Sequence, residues 1–217
     1  MKKLEKKVHP DLYNKISGKF KKLRPAQEKA LKAGLLDRKN LLVCTPTASG
    51  KTLIAEIAML QEIYNEKGKA VYVVPLKALA SEKYNEFKNK YKDVKVALSI
   101  GDTDASDTYL DNYDIIITVS EKLDSLIRHK SSFLRHVSTV IIDEIHLLND
   151  PNRGPTLEVV LTILRRILKK AQFIALSATI GNPKELAEWL DAELVLDDWR
   201  PVELKQGIYH DGDLEFY

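Results

Sequence analysis

Short apolar runs that alternate with helical patterns constrain the fold of this chain more than any other feature. Each run has the length and β-branched content of a buried strand, and most are followed by the hydrophobic spacing of a helix. The predicted strands are 40–44, 70–74, 94–99, 114–118, 139–142, 173–177 and 193–196, and the predicted helices are 25–35, 51–67, 76–91, 121–130, 156–170 and 183–190. This alternation predicts an α/β fold, with a mostly parallel sheet covered by helices on both faces.

Small or polar residues follow five of the predicted strands. The segments are TPTASGKT (45–52), PLKALA (75–80), VSEKL (119–123), DEIH (143–146) and SAT (177–179). In an open α/β sheet, ligands bind outside the carboxyl ends of the strands, and parallel strands place these ends at one edge. We therefore expect a single functional site at that edge.

The segment TPTASGKT has the features of a phosphate-binding loop. Gly50 can adopt backbone angles that other residues avoid, so the loop can bring its N–H groups around a phosphate. The next helix directs its positive end at the same point, Lys51 can reach the β- and γ-phosphates, and Thr52 can ligate Mg²⁺. The general pattern starts with glycine, whereas this loop starts with Thr45, and the alternative is an ordinary strand–turn–helix. The expected ATP-binding residues of the loop are Thr45, Pro46, Thr47, Ala48, Ser49, Gly50, Lys51 and Thr52.

Two adjacent carboxylates, Asp143 and Glu144, follow the apolar run 139–142. This placement is costly, because like charges repel and partial burial disfavours both. A phosphate loop needs an acidic partner for magnesium on a neighbouring strand end. We expect Asp143 to hold Mg²⁺, directly or through water, and Glu144 to orient and deprotonate the attacking water. The alternative is an acid pair that a helix N-terminus stabilises.

Composition excludes several classes of protein. The 217 residues are 44% hydrophobic, enough for one large domain, and the net charge of +3 is too small to indicate nucleic-acid binding by itself. The single cysteine, Cys44, excludes an internal disulfide and a cysteine zinc site. The basic N-terminus has no apolar region of a secretory signal, and no apolar run approaches the roughly 18 residues of a membrane span. We expect a cytoplasmic protein without membrane contact.

The motifs together resemble those of a known enzyme family. TPTASGKT, DEIH and SAT are similar to motifs I, II and III of superfamily 2 DExH-box helicases, and the resemblance covers nearly all of the chain. DEIHLLNDPNRGPTLEV and TVSEKLDSLIRH resemble the archaeal Holliday-junction-migration helicase (Hjm) family. The resemblance implies a RecA-like P-loop NTPase domain that serves an ATP-dependent 3′-5′ DNA helicase of repair, recombination and fork processing. Its cofactors would be ATP and Mg²⁺, and its partner single-stranded or branched DNA.

The resemblance also assigns roles to further residues. Gln27 matches the Q motif, whose amide suits the N6/N7 edge of adenine, and either Phe20 or Arg24 would help to hold the nucleotide. His146 would couple the ATP site to the nucleic-acid track through the SAT motif. The expected coupling residues are His146, Ser177, Ala178 and Thr179. The expected nucleic-acid contacts are Pro75, Lys77, Ala78, Gly101, Thr118, Ser120 and Lys122, with Gly101-Asp102 forming a loop on the same path.

The family pattern is incomplete in this chain. Its motor has two RecA-like domains, and the second supplies arginines that contact the γ-phosphate. We expect residues 1–198 to form the first motor domain and 199–217 to be a linker with the first strand of a second domain. The chain alone should bind ATP weakly and hydrolyse it very slowly. The alternatives are the motor domain of a related DExH RNA helicase and a nucleotide-gated nucleic-acid-binding module without turnover.

Overall fold

A parallel sheet forms the centre of the molecule. The computed structural model describes residues 2–101, 107–203 and 205–216. Within them, seven strands form one sheet in the order β3-β4-β2-β5-β6-β1-β7, and every neighbouring pair is parallel. The strands are β1 (Leu41–Cys44), β2 (Lys69–Val74), β3 (Val96–Ser99), β4 (Ile115–Val119), β5 (Val137–Ile142), β6 (Gln172–Ser177) and β7 (Glu193–Leu196).

Helices cover both faces of the sheet. The first five pack on one face and the last three on the other, which gives one apolar cluster on each side. They are α1 (Lys2–Glu5), α2 (Pro10–Ser17), α3 (Pro25–Lys32), α4 (Lys51–Tyr64), α5 (Lys77–Lys90), α6 (Ser120–Arg128), α7 (Gly154–Ile167) and α8 (Pro183–Leu190). The central strands consist mostly of aliphatic residues because both of their faces are buried.

The predicted α/β class and the predicted elements are confirmed. All seven strands and six helices form, with ends that move by a few residues. The helix predicted over 25–35 ends at Lys32, because Gly34 adopts a φ of 103° and a short 3-10 turn, Leu35–Asp37, follows. Helices α1 and α2 were not predicted, since they are short and depend on packing of Leu12 and Ile16 against the core.

The strand order decides which motifs become neighbours. Strand β6 lies between β1 and β5, so the SAT segment lies between the phosphate loop and the acid pair. Cys44 at the end of β1 is in register with Ser177 at the end of β6. Because all these strands are parallel, the three motifs leave the sheet at the same edge, as the sequence predicted.

The C-terminal segment is a hairpin. Strands β8 (Gly207–His210) and β9 (Asp213–Phe216) pair antiparallel with each other in a separate two-stranded sheet, and their residues are exposed. The sequence predicted one strand in this tail. Among the described residues, none of the helices combines the length and the apolar character needed to cross a membrane.

Candidate active site

The phosphate loop is folded on itself between β1 and α4. The hydroxyl groups of Thr45 and Ser49 lie 2.7 Å apart, and the Lys51 ammonium donates to the Thr45 carbonyl at 3.0 Å. Ala48 at the tip has a φ of 62°, in the left-handed region that non-glycine residues rarely occupy. The tip is exposed, whereas Thr45 and Ser49 are buried. The lysine therefore occupies the inside of the loop, where it can exchange its carbonyl partner for a phosphate.

Gln27 closes the loop from the side of α3. Its Nε2 donates to the Gly50 carbonyl at 3.0 Å, and its Oε1 accepts from the Arg24 amide at 2.9 Å. Gly50 has a φ of 93°, and a Cβ there would lie 2.5 Å from Gln27 Nε2. The backbone conformation thus favours glycine, and a Cβ at this position would displace the Gln27 amide. The Gln27 amide keeps one N–H and one lone pair for a ligand.

Arg24 joins the Q-motif helix to two other segments. Its guanidinium donates to the Ala48 carbonyl and lies 5.5 Å from the ring centroid of Trp199. Phe20 instead packs against the apolar cluster beneath α2. Of the two residues that the family resemblance left open, only Arg24 therefore contacts the phosphate loop in this structure.

The acid pair turns sharply away from the sheet. The Asp143 amide still donates to the Val73 carbonyl at 2.8 Å, in continuation of the β2–β5 ladder. Glu144 then adopts a left-handed conformation, with a φ of 54°. A non-glycine residue in this region stores backbone strain, which the surrounding structure must offset. The two carboxylates have different surroundings: Asp143 Oδ1 accepts from the Glu144 amide at 3.1 Å, whereas Glu144 Oε2 lies 3.3 Å from His146 Nδ1.

Electrostatics place the acid pair and the loop lysine in one site. Burial lowers the pKa of the Lys51 ammonium, and the negative charges of Glu144 and Asp143 act on it in the opposite direction. Both carboxylates are therefore close enough to stabilise the charged lysine. Such a site can bind phosphate oxygens between the lysine cation on one side and carboxylates that hold a metal ion or a water molecule on the other. Lys51 is the cation here, and Asp143 and Glu144 are the carboxylates.

The candidate coupling residues lie beside the acid pair. His146 Nδ1 is 3.3 Å from Glu144 Oε2, within ion-pair distance but outside hydrogen-bonding geometry. Ser177 is buried, Ala178 half-buried and Thr179 exposed. The segment 177–179 thus runs from the sheet into solvent between the loop and the acids.

The candidate nucleic-acid contacts divide into an exposed and a buried group. Lys77, Ala78 and Gly101 are exposed and Pro75 is half-buried. Thr118 and Ser120 are buried, and the Thr118 hydroxyl donates to the Ser99 carbonyl at 2.7 Å. Lys122 is buried, with 7% of its side chain exposed, and its ammonium pairs with the Asp107 carboxylate at 2.8 Å. Asp102, expected on the same path, lies outside the described residues.

The donor set of the site fits magnesium bound together with a nucleotide. Mg²⁺ takes oxygen ligands and keeps several waters, so one carboxylate, one hydroxyl and phosphate oxygens suffice. Asp143 and Thr52 supply such a carboxylate and hydroxyl. Among the residues that the structure describes, no cluster of three or more His, Cys, Asp or Glu side chains could hold a metal ion.

Comparison with known proteins defines the class. Residues 24–186 match the DEAD/DEAH box helicase family, and the chain belongs to this family. Two similar curated relatives bear the same name, ATP-dependent DNA helicase Hel308. The relative in Methanocaldococcus jannaschii is 57% identical in an alignment of 204 positions that covers 89% of this chain and 17% of the relative. The relative in Pyrococcus abyssi is 55% identical over 194 residues, which are 89% of this chain and 27% of the relative. The helicase resemblance seen in the sequence motifs is confirmed.

Solved structures agree with this assignment. The crystal structure of the DUF1998 helicase MrfA bound to DNA has a TM-score of 0.75 and 29% identity, and the match covers 88% of this chain and 30% of that one. A second crystal structure of the DUF1998 helicase MrfA gives a TM-score of 0.73 and 27% identity, over 88% of this chain and 33% of that chain. The RecA-like fold is confirmed, and this chain spans less than a third of each protein compared.

One side chain of the site was missed in the sequence. The hydroxyl of Tyr72, in the middle of β2, donates to Asp143 Oδ2 at 2.8 Å. The two residues are 71 positions apart, so no local pattern connects them. The only available signal was a tyrosine in a strand whose other members are aliphatic or alanine after Lys69.

Proposed function

We propose that the chain is the ATP-binding motor domain of an ATP-dependent 3′-5′ DNA helicase that acts in repair, recombination and fork processing. The observation that carries the proposal is the convergence of Lys51, Asp143 and Glu144 in one electrostatic site at the carboxyl edge of the sheet. The choice of DNA as substrate is supported by the similar relatives, which are named ATP-dependent DNA helicases.

The phosphate loop, residues 45–52, would bind the nucleotide. Lys51 would leave the Thr45 carbonyl and bind the β- and γ-phosphates, and the loop amides would surround them. Gln27 would bind adenine with the N–H and the lone pair that its present partners leave free. Thr52 and Asp143 would hold Mg²⁺, which, when bound, neutralises charge on the β- and γ-phosphates.

Glu144 would act as the general base. Its carboxylate would accept the proton of the water that attacks the γ-phosphate, and its left-handed backbone directs it differently from Asp143. His146, at 3.3 Å, would favour the carboxylate orientation and couple it to Ser177, Ala178 and Thr179. A change in the conformation of these four residues during ATP hydrolysis would then change the contacts of the domain with bound DNA.

Single-stranded or branched DNA would lie along the loops next to the acid pair. A small cavity there is lined by Pro75, Ser120, Asp143, Glu144 and Arg153, among others, so the two proposed sites adjoin. Lys77 would supply charge, and the N-terminus of α6 would supply amide donors. The proposed contacts are Pro75, Lys77, Ala78, Gly101, Thr118, Ser120 and Lys122, the last of which would first have to leave Asp107.

A second RecA-like domain would complete the proposed motor. Residues 1–198 would be the first domain, and 199–217 would lead into the second. Curated relatives are several times longer than this chain, which covers 17% and 27% of the two named above. A transition-state arginine from the second domain would contribute about 10³ to 10⁵ in rate. The protein would work in the cytoplasm.

Calorimetry and turnover on the 217-residue chain test the proposal. We expect binding of ATP with Mg²⁺, and slow turnover that single-stranded DNA does not change. Rapid turnover by the chain alone would contradict the need for a second domain, and failure to bind ATP would overturn the proposed function. In the intact protein, faster ATP turnover with RNA than with DNA would favour the RNA helicase alternative. A complete lack of turnover there would favour the binding module.

A further inference from the structure

Tyr72 occupies the centre of the protein and yet reaches the active site. It is 0% exposed, in β2 between β4 and β5, and its ring meets that of Phe87 from α5 edge-to-face at 5.4 Å. In the ladder Tyr72 is opposite Ile141, and Asp143 lies two residues further along the same face. A phenol is long enough to span this diagonal, so its hydroxyl ends beside the carboxylate.

The Tyr72 hydroxyl is not needed to fill space in the core. A phenylalanine would fill the same volume, whereas a buried O–H must be hydrogen-bonded to avoid a desolvation penalty. Its partner is Asp143 Oδ2, at 2.8 Å. Because an ionised carboxylate can only accept hydrogen bonds, the phenol is the donor in this bond.

The bond completes the restraint of the Asp143 side chain. Oδ2 accepts from Tyr72, and Oδ1 accepts from the Glu144 amide at 3.1 Å. Both oxygens are therefore held, and the plane of the carboxylate is set. Each oxygen still has a lone pair for a metal ion or for a metal-bound water. Groups that orient a metal-binding carboxylate in this way typically contribute 10–100-fold in metal affinity, as an order of magnitude.

We propose that Tyr72 is a positioning residue for magnesium, which orients the Asp143 carboxylate from the middle of the sheet. The inference depends on the proposed function, in which Asp143 holds Mg²⁺ beside the nucleotide. It adds to the ATP site a residue that lies outside every sequence motif and has no access to solvent or substrate.

The test is the gain in nucleotide affinity that Mg²⁺ produces. Binding of a non-hydrolysable ATP analogue to the 217-residue chain is measured by calorimetry, once in saturating Mg²⁺ and once in EDTA. Tyr72→Phe should reduce the ratio of the two affinities about tenfold. Its affinity in EDTA should stay within about twofold of the unsubstituted chain, because the loop and Gln27 are unchanged.

Tyr91→Phe is the matched control. Tyr91 is 4% exposed, contacts the same Phe87 ring at 6.2 Å and has its phenol beside Glu56 instead of Asp143. The Tyr91→Phe variant also loses one phenol oxygen from the same apolar cluster. Its magnesium ratio, the affinity in saturating Mg²⁺ divided by the affinity in EDTA, should equal that of the unsubstituted chain. Equal ratios in all three proteins would overturn the inference and leave the proposed function intact. An unsubstituted chain that binds the analogue without any magnesium gain would overturn both.

A second comparison separates positioning from general destabilisation. Asp143→Asn should itself reduce the magnesium ratio, and adding Tyr72→Phe to it should change the ratio by less than about twofold, because the phenol acts only through Asp143. If the double variant instead loses the product of the two single losses in the magnesium ratio, Tyr72 acts independently of Asp143, and the inference is overturned.

Discussion

The Ser177 carbonyl accepts a hydrogen bond from the Thr45 amide at 3.2 Å. This bond extends the β1–β6 ladder by one step beyond Cys44, and it joins the first residue of the phosphate loop to the first residue of the SAT segment. A displacement of the loop on nucleotide binding would therefore pull on residues 177–179. This hydrogen bond physically connects two motifs whose first residues, Thr45 and Ser177, lie 132 positions apart in the sequence.

Glu144→Gln should separate nucleotide binding from hydrolysis in the intact protein. The amide fills the same space but cannot accept the proton of water, so we expect turnover to fall by about 10²- to 10⁴-fold with nucleotide affinity unchanged. Lys51→Ala should instead weaken nucleotide binding itself, since the ammonium is the cation of the loop. Glu158→Gln, an exposed position on α7, is the control for removal of a charge. Unchanged turnover in Glu144→Gln would remove this residue as the base.

Gly50→Ala should destabilise the chain and weaken nucleotide binding. The alanine would adopt a φ of 93°, and its Cβ would lie 2.5 Å from Gln27 Nε2. We expect a loss of about 1–2 kcal/mol in the free energy of unfolding from the left-handed backbone alone. Urea denaturation measures it, with Gly181→Ala as the control, because no atom lies within 4 Å of a Cβ at that position. Equal stability of the two variants would show that the loop adopts another conformation in solution.

Lys122→Ala should act on stability more than on DNA affinity. The Lys122 and Asp107 side chains are 7% and 10% exposed, and removing one partner leaves the other charge buried. The expected cost is about 3 kcal/mol in the free energy of unfolding. The exposed Lys77 is the comparison: Lys77→Ala should change stability by less than about 0.5 kcal/mol and reduce the salt dependence of DNA binding by about one phosphate contact. Denaturant titration and DNA binding at several salt concentrations distinguish the two lysines.

Cys44 should be unreactive towards thiol reagents in the folded chain. Burial raises the pKa of its thiol to about 11, although Ser177 and Lys51 act in the opposite direction. At pH 8 the thiolate fraction is then about 10⁻³, whereas an unfolded cysteine with a pKa of about 8.5 is partly ionised. Above pH 8.5 the unfolded chain ionises first, so this group lowers stability as the pH rises towards 11. Alkylation rates with and without guanidinium chloride check the prediction, and fast labelling of the folded chain would contradict it.

Much of the fold was predictable because it depends on local patterns. The apolar run 70–74 and the Gly68 that precedes it are typical of a buried strand after a helix, and the structure forms β2 there. The helix predicted over 183–190 forms with the same ends, since Pro183 begins it and Asp191 ends it in a left-handed conformation. The short helix α2 was missed, because eight residues with one apolar face become stable only when that face is buried.

The composition of the candidate site was also visible in part. Lys51 and Glu144 were found because their motifs carry chemistry in a few consecutive residues. The partners of Lys122 and Gln27 were not visible, and both side chains turn out to be almost fully buried, at 8% and 3% exposure. Their roles in binding DNA and adenine stay predictions.

Hydrophobic periodicity and short motifs were enough to predict the class of fold, the seven strands of the sheet and the motifs that line its carboxyl edge, because these features are local. The position of β6 between β1 and β5 and the hydrogen bond from Tyr72 to Asp143 are visible only in the folded chain. Strand order and side-chain contacts depend on how distant segments pack together, and a linear pattern of polar and apolar residues carries no record of that packing.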